Sequence, residues 1–401
     1  MILVELIFLS SLGLLFYIYF GYPLMLMLIG ILAPWPVRKG SRFPSVSVVI
    51  AAYNEEEIIE RKLRNTLELT YPRNRLEIVI ASDGSTDRTV SIARRYASQG
   101  IRVLDLPRRG KAEALNDGVL AATGEVIVFT DANSMLETES LRALVEDLGD
   151  PEVGGVCGNQ RYRPADSDDV TGREESLYWQ YDKAVKGLES RTGSIIAADG
   201  SLYAIRRSLY VPIDDPVVAD DMAISTRVVL NGHRLVYEAR AVTYEDAPAR
   251  GRQEFLRKVR ITNHSVRALL GLGRDLWLSG FYSIKLLSHK LLRHLAPFWL
   301  IVLFSSNVLL LGTHPVCVST WGCQVLFYVL AFLGWRLRET QPGRSRLLSV
   351  PYFFCFVNAA ALLGVLSVLI GRSVMAWEPR GGIPAAGDPP TPVRQRMHRA
   401  G

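Results

Sequence analysis

Cysteine is scarce in this chain, four in 401 residues. None of the four stands at the spacing of a metal-ligand set, so a cysteine-built zinc site is excluded. Cys317 and Cys323 flank a short stretch expected on the outer side, which leaves a disulfide between them open. Cys157 is expected in a reduced, cytoplasmic setting. No Gly-x-Gly-x-x-Gly follows the first apolar run and there is no phosphate loop of the G-x-x-x-x-G-K-S/T kind, which argues against dinucleotide-binding and P-loop folds. No RNA- or DNA-binding motif accompanies the basic residues. The net charge of +6 is met by Arg and Lys beside apolar segments, and nucleic acid is not an expected partner. There is no internal repeat, and low complexity is confined to a Pro/Gly-rich tail. The apolar amino terminus has no basic start and is too long for a signal peptide.

What the chain does have is long hydrophobic runs. It is 49% hydrophobic and 21% charged, with a mean hydropathy of +0.15. That is too apolar for an ordinary soluble enzyme and too charged for a pure membrane bundle. Residues 1–33 read as an uncleaved membrane helix, long enough for a bilayer core of about 30 Å. Residues 34–44, in "PWPVRKGSRFPS", form a basic linker whose Arg38, Lys39 and Arg42 place the next domain in the cytoplasm. Residues 45–265 alternate short apolar runs with charged stretches, as a soluble domain does. Residues 266–294 mix basic and apolar residues and read as interfacial helices. There His289 and Lys290 are read as headgroup anchors or, alternatively, as contacts to an acceptor phosphate. Residues 295–371 hold about three transmembrane segments, near Leu295–Gly312, Trp321–Trp335 and Leu347–Ile370, the last two separated by an arginine-rich cytoplasmic loop. Residues 372–401 are expected to be disordered. One span before the domain and three after it would put this basic tail outside, against the charge rule.

Within the soluble region four strands are expected, at Val46–Ala52, Ile78–Ala81, Ile101–Leu104 and Val126–Phe129. Helical patterns alternate with them, which argues a parallel α/β sheet. Ligands bind such sheets beyond the carboxyl ends of the strands. Acids stand there: Glu55 after the first strand, Asp83 after the second, Asp131 after the fourth. Any one of them can be a turn or helix cap, but three polar clusters at one sheet edge point to a ligand. A nucleoside diphosphate needs a divalent cation held by oxygen ligands, a task suited to Asp131 and Asn133. Lys111, beside Gly110, can meet the remaining phosphate charge.

The stretches "VSVVIAAYNEE", "ASDGSTDRT", "GKAEALNDG", "FTDAN", "DGSLYAIRR" and "VADDMAI" together resemble the ordered motifs of family-2 glycosyltransferases. The flanking membrane segments are similar to the cellulose- and hyaluronan-synthase-like branch. That resemblance implies an α/β fold of the GT-A (Rossmann-like) type plus transmembrane helices. It also implies a nucleotide-diphosphate sugar as donor, Mg²⁺ or Mn²⁺ as cofactor, and inversion at the anomeric carbon. It implies roles residue by residue: Ala52, Tyr53, Glu55, Asp83, Lys111 and Asp131 at the donor, with Asp131 and Asn133 at the metal. Asn133 stands where many relatives carry a second Asp. Gly200 and Asp220 are implied at the acceptor and Asp221 as the catalytic base. Like-charge repulsion from Asp220 would raise the pKa of Asp221, whose bland alternative is helix capping.

One departure is clear. The processive branch carries Gln-x-x-Arg-Trp; here Arg257 replaces the Gln, Arg260 stands for the Arg and Ile261 replaces the Trp. Arg257 and Arg260 are expected near the donor phosphates, and a sugar-stacking aromatic is missing. The expectation is transfer to a saccharide or lipid-linked acceptor in the cell membrane for surface polysaccharide or glycolipid, with membrane lipids and a polysaccharide export partner as companions. The alternatives are a polyprenyl-phosphate glycosyltransferase or a non-catalytic component of an export complex, the latter disfavoured because Glu55, Asp83, Asp131 and Asp221 are all present.

Overall fold

The computed structural model describes residues 1–163, 170–214, 219–246 and 251–372; most of the tail expected to be disordered lies outside them. Eight strands form one sheet: β1 (Val46–Ala52), β2 (Leu76–Asp83), β3 (Ile101–Leu106), β4 (Val126–Phe129), β5 (Met135–Leu136), β6 (Val153–Arg163), β7 (Tyr203–Arg206) and β8 (Arg234–Asp246). Their order is β3-β2-β1-β4-β7-β6-β8-β5. Strand β1 is buried at every position because β2 and β4 flank it, both parallel to it. This is why its sequence is apolar almost throughout and does not alternate.

The pleat divides β1 between two cores. Val46, Val48 and Ile50 pack with Ile59 and Leu63 of the helix Ile59–Leu67 and with Leu141 and Leu144 of Ser140–Asp147. On the other face Val49 and Ala51 meet Leu115 and Val119 of the helix Lys111–Ala121, and Ile224 and Val228 of Asp220–Leu230 belong to the same core.

The expected all-parallel sheet is a mixed one. Strands β1 to β4 are parallel, but β7 runs antiparallel to both β4 and β6, and β5 antiparallel to β8. The strand–helix alternation that forces parallel pairing ends after β4. The later strands escape a hydrophobic-run reading because β6 contains Gly154, Gly155 and Gly158, and β5 has two residues.

Four helices are long and apolar enough to cross a membrane: Ile2–Leu32, Phe281–Leu309, Pro315–Leu337 and Arg346–Leu369. The second differs from expectation. No proline or glycine interrupts residues 281–296, so the stretch expected to lie in the interface runs on into the spanning helix. Phe8 and Leu15 of the first helix pack against Leu303 and Leu310. The helix Arg252–Gly271 packs on Arg346–Leu369. Gly364 lies there so close to Thr262 that an added Cβ would stand 2.6 Å from the Thr262 Cβ. The disulfide left open for Cys317 and Cys323 does not form: both thiols are free and share the helix Pro315–Leu337. Six residues along a helix rise about 9 Å and point in different directions.

Candidate active site

The loop after β1 is stitched to the loop after β2. Asn54, with φ +51°, accepts the Thr86 N–H at 2.8 Å through its side chain. The Glu55 N–H donates to the Thr89 hydroxyl at 2.8 Å. Asp87 accepts the Glu56 N–H at 3.1 Å and the Thr89 N–H at 2.9 Å, so it does local structural work at the start of its helix.

Asp83 is 1% exposed. It accepts the Arg109 N–H at 2.6 Å and the Gly110 N–H at 3.0 Å, and it pairs with the Arg108 guanidinium. Arg108 lies over the Tyr53 ring, 3.5 Å from its centroid. Asp83 thus holds the basic loop before Lys111, and the loop takes up its hydrogen-bonding capacity. A large cavity opens beside this loop; neither Asp83 nor Ala52 lines it, whereas Ala51, Tyr53, Glu55, Arg108 and Lys111 do.

The "FTDAN" turn is braced from beneath by Lys62, a fully buried lysine. Its ammonium donates to the Thr130 hydroxyl at 2.9 Å and to the Ser134 carbonyl, tying both ends of the turn. Burial pushes Lys62 down to about 7. On the open side, the Lys111 ammonium stands 2.9 Å from Asp131 Oδ1 and 3.0 Å from Asp220 Oδ2. Burial opposes its charge, but these two carboxylates outweigh it and raise its pKa.

Asp220 and Asp221 open the helix Asp220–Leu230, whose N-cap is Ala219. Asp221 is therefore not the cap. Its Oδ2 accepts the Gly200 N–H at 3.0 Å and its Oδ1 the Met222 N–H at 2.7 Å. Burial, followed by repulsion from Asp220, pushes the Asp221 carboxyl up to about 6, against the pull of Lys111 and Lys290. Gly200 is where the site converges: a Cβ there would lie 3.5 Å from Asp221 Oδ2 and 3.8 Å from Asp131 Oδ2.

The cavity, of ≈ 2020 Å³, joins these groups. Asn133, Gly200, Arg257, Arg260 and Ile261 also line it. Arg257 is held by Glu254 at 2.7 and 2.9 Å. A further cluster, which the sequence motifs do not announce, forms the wall facing the membrane helices. Lys186 donates to both Asp199 oxygens at 2.6 Å and lies 3.4 Å from Asp182. Arg293 reaches Asp182 at 3.2 Å. His289, expected at the headgroups, is buried instead. Its Nδ1 is 2.8 Å from Glu189 Oε1, which also accepts the Tyr22 hydroxyl at 2.5 Å. No motif marks this cluster, because its members come from four separate segments and carry no common spacing. The exception is Asp199, which sits beside Gly200 in "DGSLY".

Among the described residues no group of three or more His, Cys, Asp or Glu can hold a metal unaided. The hard oxygen donors of Asp131 and Asn133 do fit a cation of the Mg²⁺ or Mn²⁺ kind, which takes one or two protein oxygens and leaves the rest to substrate phosphates and water.

Residues 47–211 match the family model described as glycosyl transferase family 2. A poly-beta-1,6-N-acetyl-D-glucosamine synthase of Staphylococcus epidermidis is 29% identical over 239 residues, 58% of this chain and 56% of the relative. The enzyme of that name from Staphylococcus aureus (strain COL) is 29% identical over 51% of this chain and 50% of its own. The chain thus spans about half the length of the curated relatives it matches. Among solved structures, the mannosyltransferase PcManGT of Pyrobaculum calidifontis, in complex with GDP-Man and Mn²⁺, superposes with a TM-score of 0.70 at 25% identity. The match covers 91% of this chain and 99% of that one. Sequence motifs, sheet order and these likenesses agree, and the chain belongs to glycosyl transferase family 2.

Proposed function

We propose that this protein transfers a sugar, with inversion, from a nucleotide-diphosphate sugar to a saccharide or lipid-linked acceptor at the cytoplasmic face of the cell membrane, in the making of surface polysaccharide or glycolipid. The observation that carries the reading is the convergence of Asp131, Asp220 and Asp221 with Lys111 around Gly200 at one end of the cavity. The GDP-Man and Mn²⁺ bound by the mannosyltransferase and the polymers named for the staphylococcal relatives support it.

In this reading Tyr53, Glu55 and Arg108 flank the nucleoside, and Asp83 acts on it through the loop it holds. Asp131 and Asn133 hold the divalent cation, which supplies charge neutralisation to the diphosphate when bound. Lys111, Arg257 and Arg260 add positive charge to the same phosphates. Asp221 accepts the proton of the acceptor hydroxyl as that oxygen bonds to the anomeric carbon. The bond from that carbon to the diphosphate breaks, and the nucleoside diphosphate leaves with the electron pair. Asp221 suits a base near neutral pH because burial and Asp220 raise its pKa. Arg38, Lys39 and Arg42 favour the cytoplasmic side for the catalytic domain. The test is to incubate the purified protein with a panel of nucleotide sugars and measure release of nucleoside diphosphate with and without Mn²⁺. Consumption of one donor, dependent on the metal, is the expected result; no consumption across the panel would overturn the reading.

A further inference from the structure

The cavity continues past Asp221 into the membrane helices. Its lining can be followed along the helix Phe281–Leu309: first Lys290, Arg293 and His294, then Leu300 and Leu303. Lys290 to Leu303 is a helical run of roughly 20 Å. The far part is closed by Leu15 of the first helix and by Phe354, Val357 and Ala361 of the last.

Two properties of this extension define its occupant. The far part is apolar, and a hydrated sugar chain threaded through it would leave buried hydroxyls without partners, a costly arrangement. A hydrocarbon tail has no such need. The near part carries positive charge that the protein does not neutralise fully. Lys186 is met by Asp199 and Asp182, and Arg293 by Asp182. By contrast, Lys290 lines the cavity with no carboxylate in ion-pair range among the described residues. In the same wall the Nε2 of His294 is buried without a hydrogen-bond partner.

We propose that the acceptor is a membrane lipid with phosphate in its head, its tail lodged between the helices Ile2–Leu32, Phe281–Leu309 and Arg346–Leu369 and its phosphate on Lys290 and His294. The proposal rests on the transfer function proposed for this site and narrows its acceptor. Two head groups share this chemistry. With a lipid monophosphate, a phosphate oxygen attacks the anomeric carbon and no proton need leave. With a lipid pyrophosphate-linked saccharide, a sugar hydroxyl attacks and its proton passes to Asp221. In both, the nucleoside diphosphate departs with the electrons of the broken bond.

The experiment uses the full chain in lipid nanodiscs with the donor found by the panel. Four acceptors are compared: a polyprenyl monophosphate, a polyprenyl pyrophosphate-linked sugar, the phosphate-free polyprenol and a soluble oligosaccharide. At least tenfold faster transfer to one of the phosphorylated lipids than to the last two is expected. Lys290→Gln should raise KM for that lipid by about tenfold or more, the loss of one charge-assisted contact. Ala361→Phe, which fills the tail compartment, should raise it similarly while leaving slow donor hydrolysis to water unchanged. In parallel, wild-type protein is photolabelled with a polyprenyl phosphate carrying a diazirine on its tail. Adducts should map to residues 300–303 and 354–361, a readout that needs neither turnover nor a folded variant. Equal transfer to the soluble oligosaccharide, insensitive to both substitutions, would overturn the proposal, as would adducts scattered over the outer helix surface. Absence of donor turnover with every acceptor would count against the transfer function, and the photolabel would still decide the lipid site.

Discussion

Asp221 and Asp131 both approach Gly200, yet they are held differently, and substitutions should separate them. Asp221 is tied to two backbone N–H groups, whereas Asp131 faces the Lys111 ammonium. Asp221→Asn keeps the shape and loses the base. Turnover is expected to fall about 10²–10⁴-fold with donor affinity nearly unchanged, as checked by steady-state kinetics beside calorimetric titration of the donor. Near-normal turnover would remove Asp221 from the mechanism. The sign of the pH dependence is set by its raised pKa. The base works deprotonated, so transfer should rise with pH through about 6 and be lost below it. A rate profile flat from pH 5 to 8 would contradict this. Asp131→Ala removes the full charge of the metal turn, and Mn²⁺-dependent donor binding should weaken strongly in the same titration. Undiminished activity in chelator would show that the turn holds no metal.

At the scale of elements, the loop before Lys111 depends on the turn that ends β2. Asp83 supplies the acceptors and Gly84 the room. Gly84 has φ +66°, and an added Cβ would stand 2.7 Å from the Arg108 nitrogen. Gly84→Ala therefore brings both left-handed backbone strain, about 1–2 kcal/mol, and displacement of Arg108 from Asp83 and Tyr53. The expected outcome is a lower melting temperature and a several-fold higher KM for the donor. Unchanged donor KM would mean that the placement of this loop does not matter to binding. The contact at Gly364 makes a similar demand on the other side of the cavity. A larger residue there would push the helix carrying Arg257 and Arg260 away from the last membrane helix, so Gly364→Val should lower stability by about 1–3 kcal/mol, as overpacking does. Thermal unfolding in detergent measures it.

For the whole molecule, the open matter is product length. The staphylococcal relatives are named for a polymer, but they align with just over half of this chain. At the position of the processive tryptophan this chain has Ile261, which lines the cavity with a short apolar side chain. A translocating enzyme must hold a growing chain while it moves by one sugar, and stacking on an aromatic face does this without fixing a register. Purified protein given its donor should therefore make products of one or a few sugars, sized by mass spectrometry. Long polymer, made and moved across a vesicle membrane by this chain alone, would refute the expectation.

Much of the donor end was legible in the amino-acid order alone. A buried parallel strand writes itself as an unbroken apolar run, and the polar residues that follow it stand at the sheet's carboxyl edge by necessity. Hence Tyr53, Glu55, Lys111, Asp131 and Asn133 could be singled out, and all five line the cavity. The sequence by itself also determined where the long apolar helices lie, because length and composition decide that. Other features needed the fold. That Asp83 turns inward to hold its own loop depends on where Arg108 to Gly110 come to rest, some 25 residues later. Lys62 reads as a charged position on a surface helix, yet it is buried beneath a turn from β4. The antiparallel half of the sheet hides in glycine-rich and two-residue strands whose pairing is not local. The acid–base cluster of Asp182, Lys186, Asp199, Glu189 and His289 arises where helix and loop segments up to about a hundred residues apart meet. Patterns with a period belong to the sequence because each element repeats its own environment. Contacts between distant segments have no period, so only packing in three dimensions decides them.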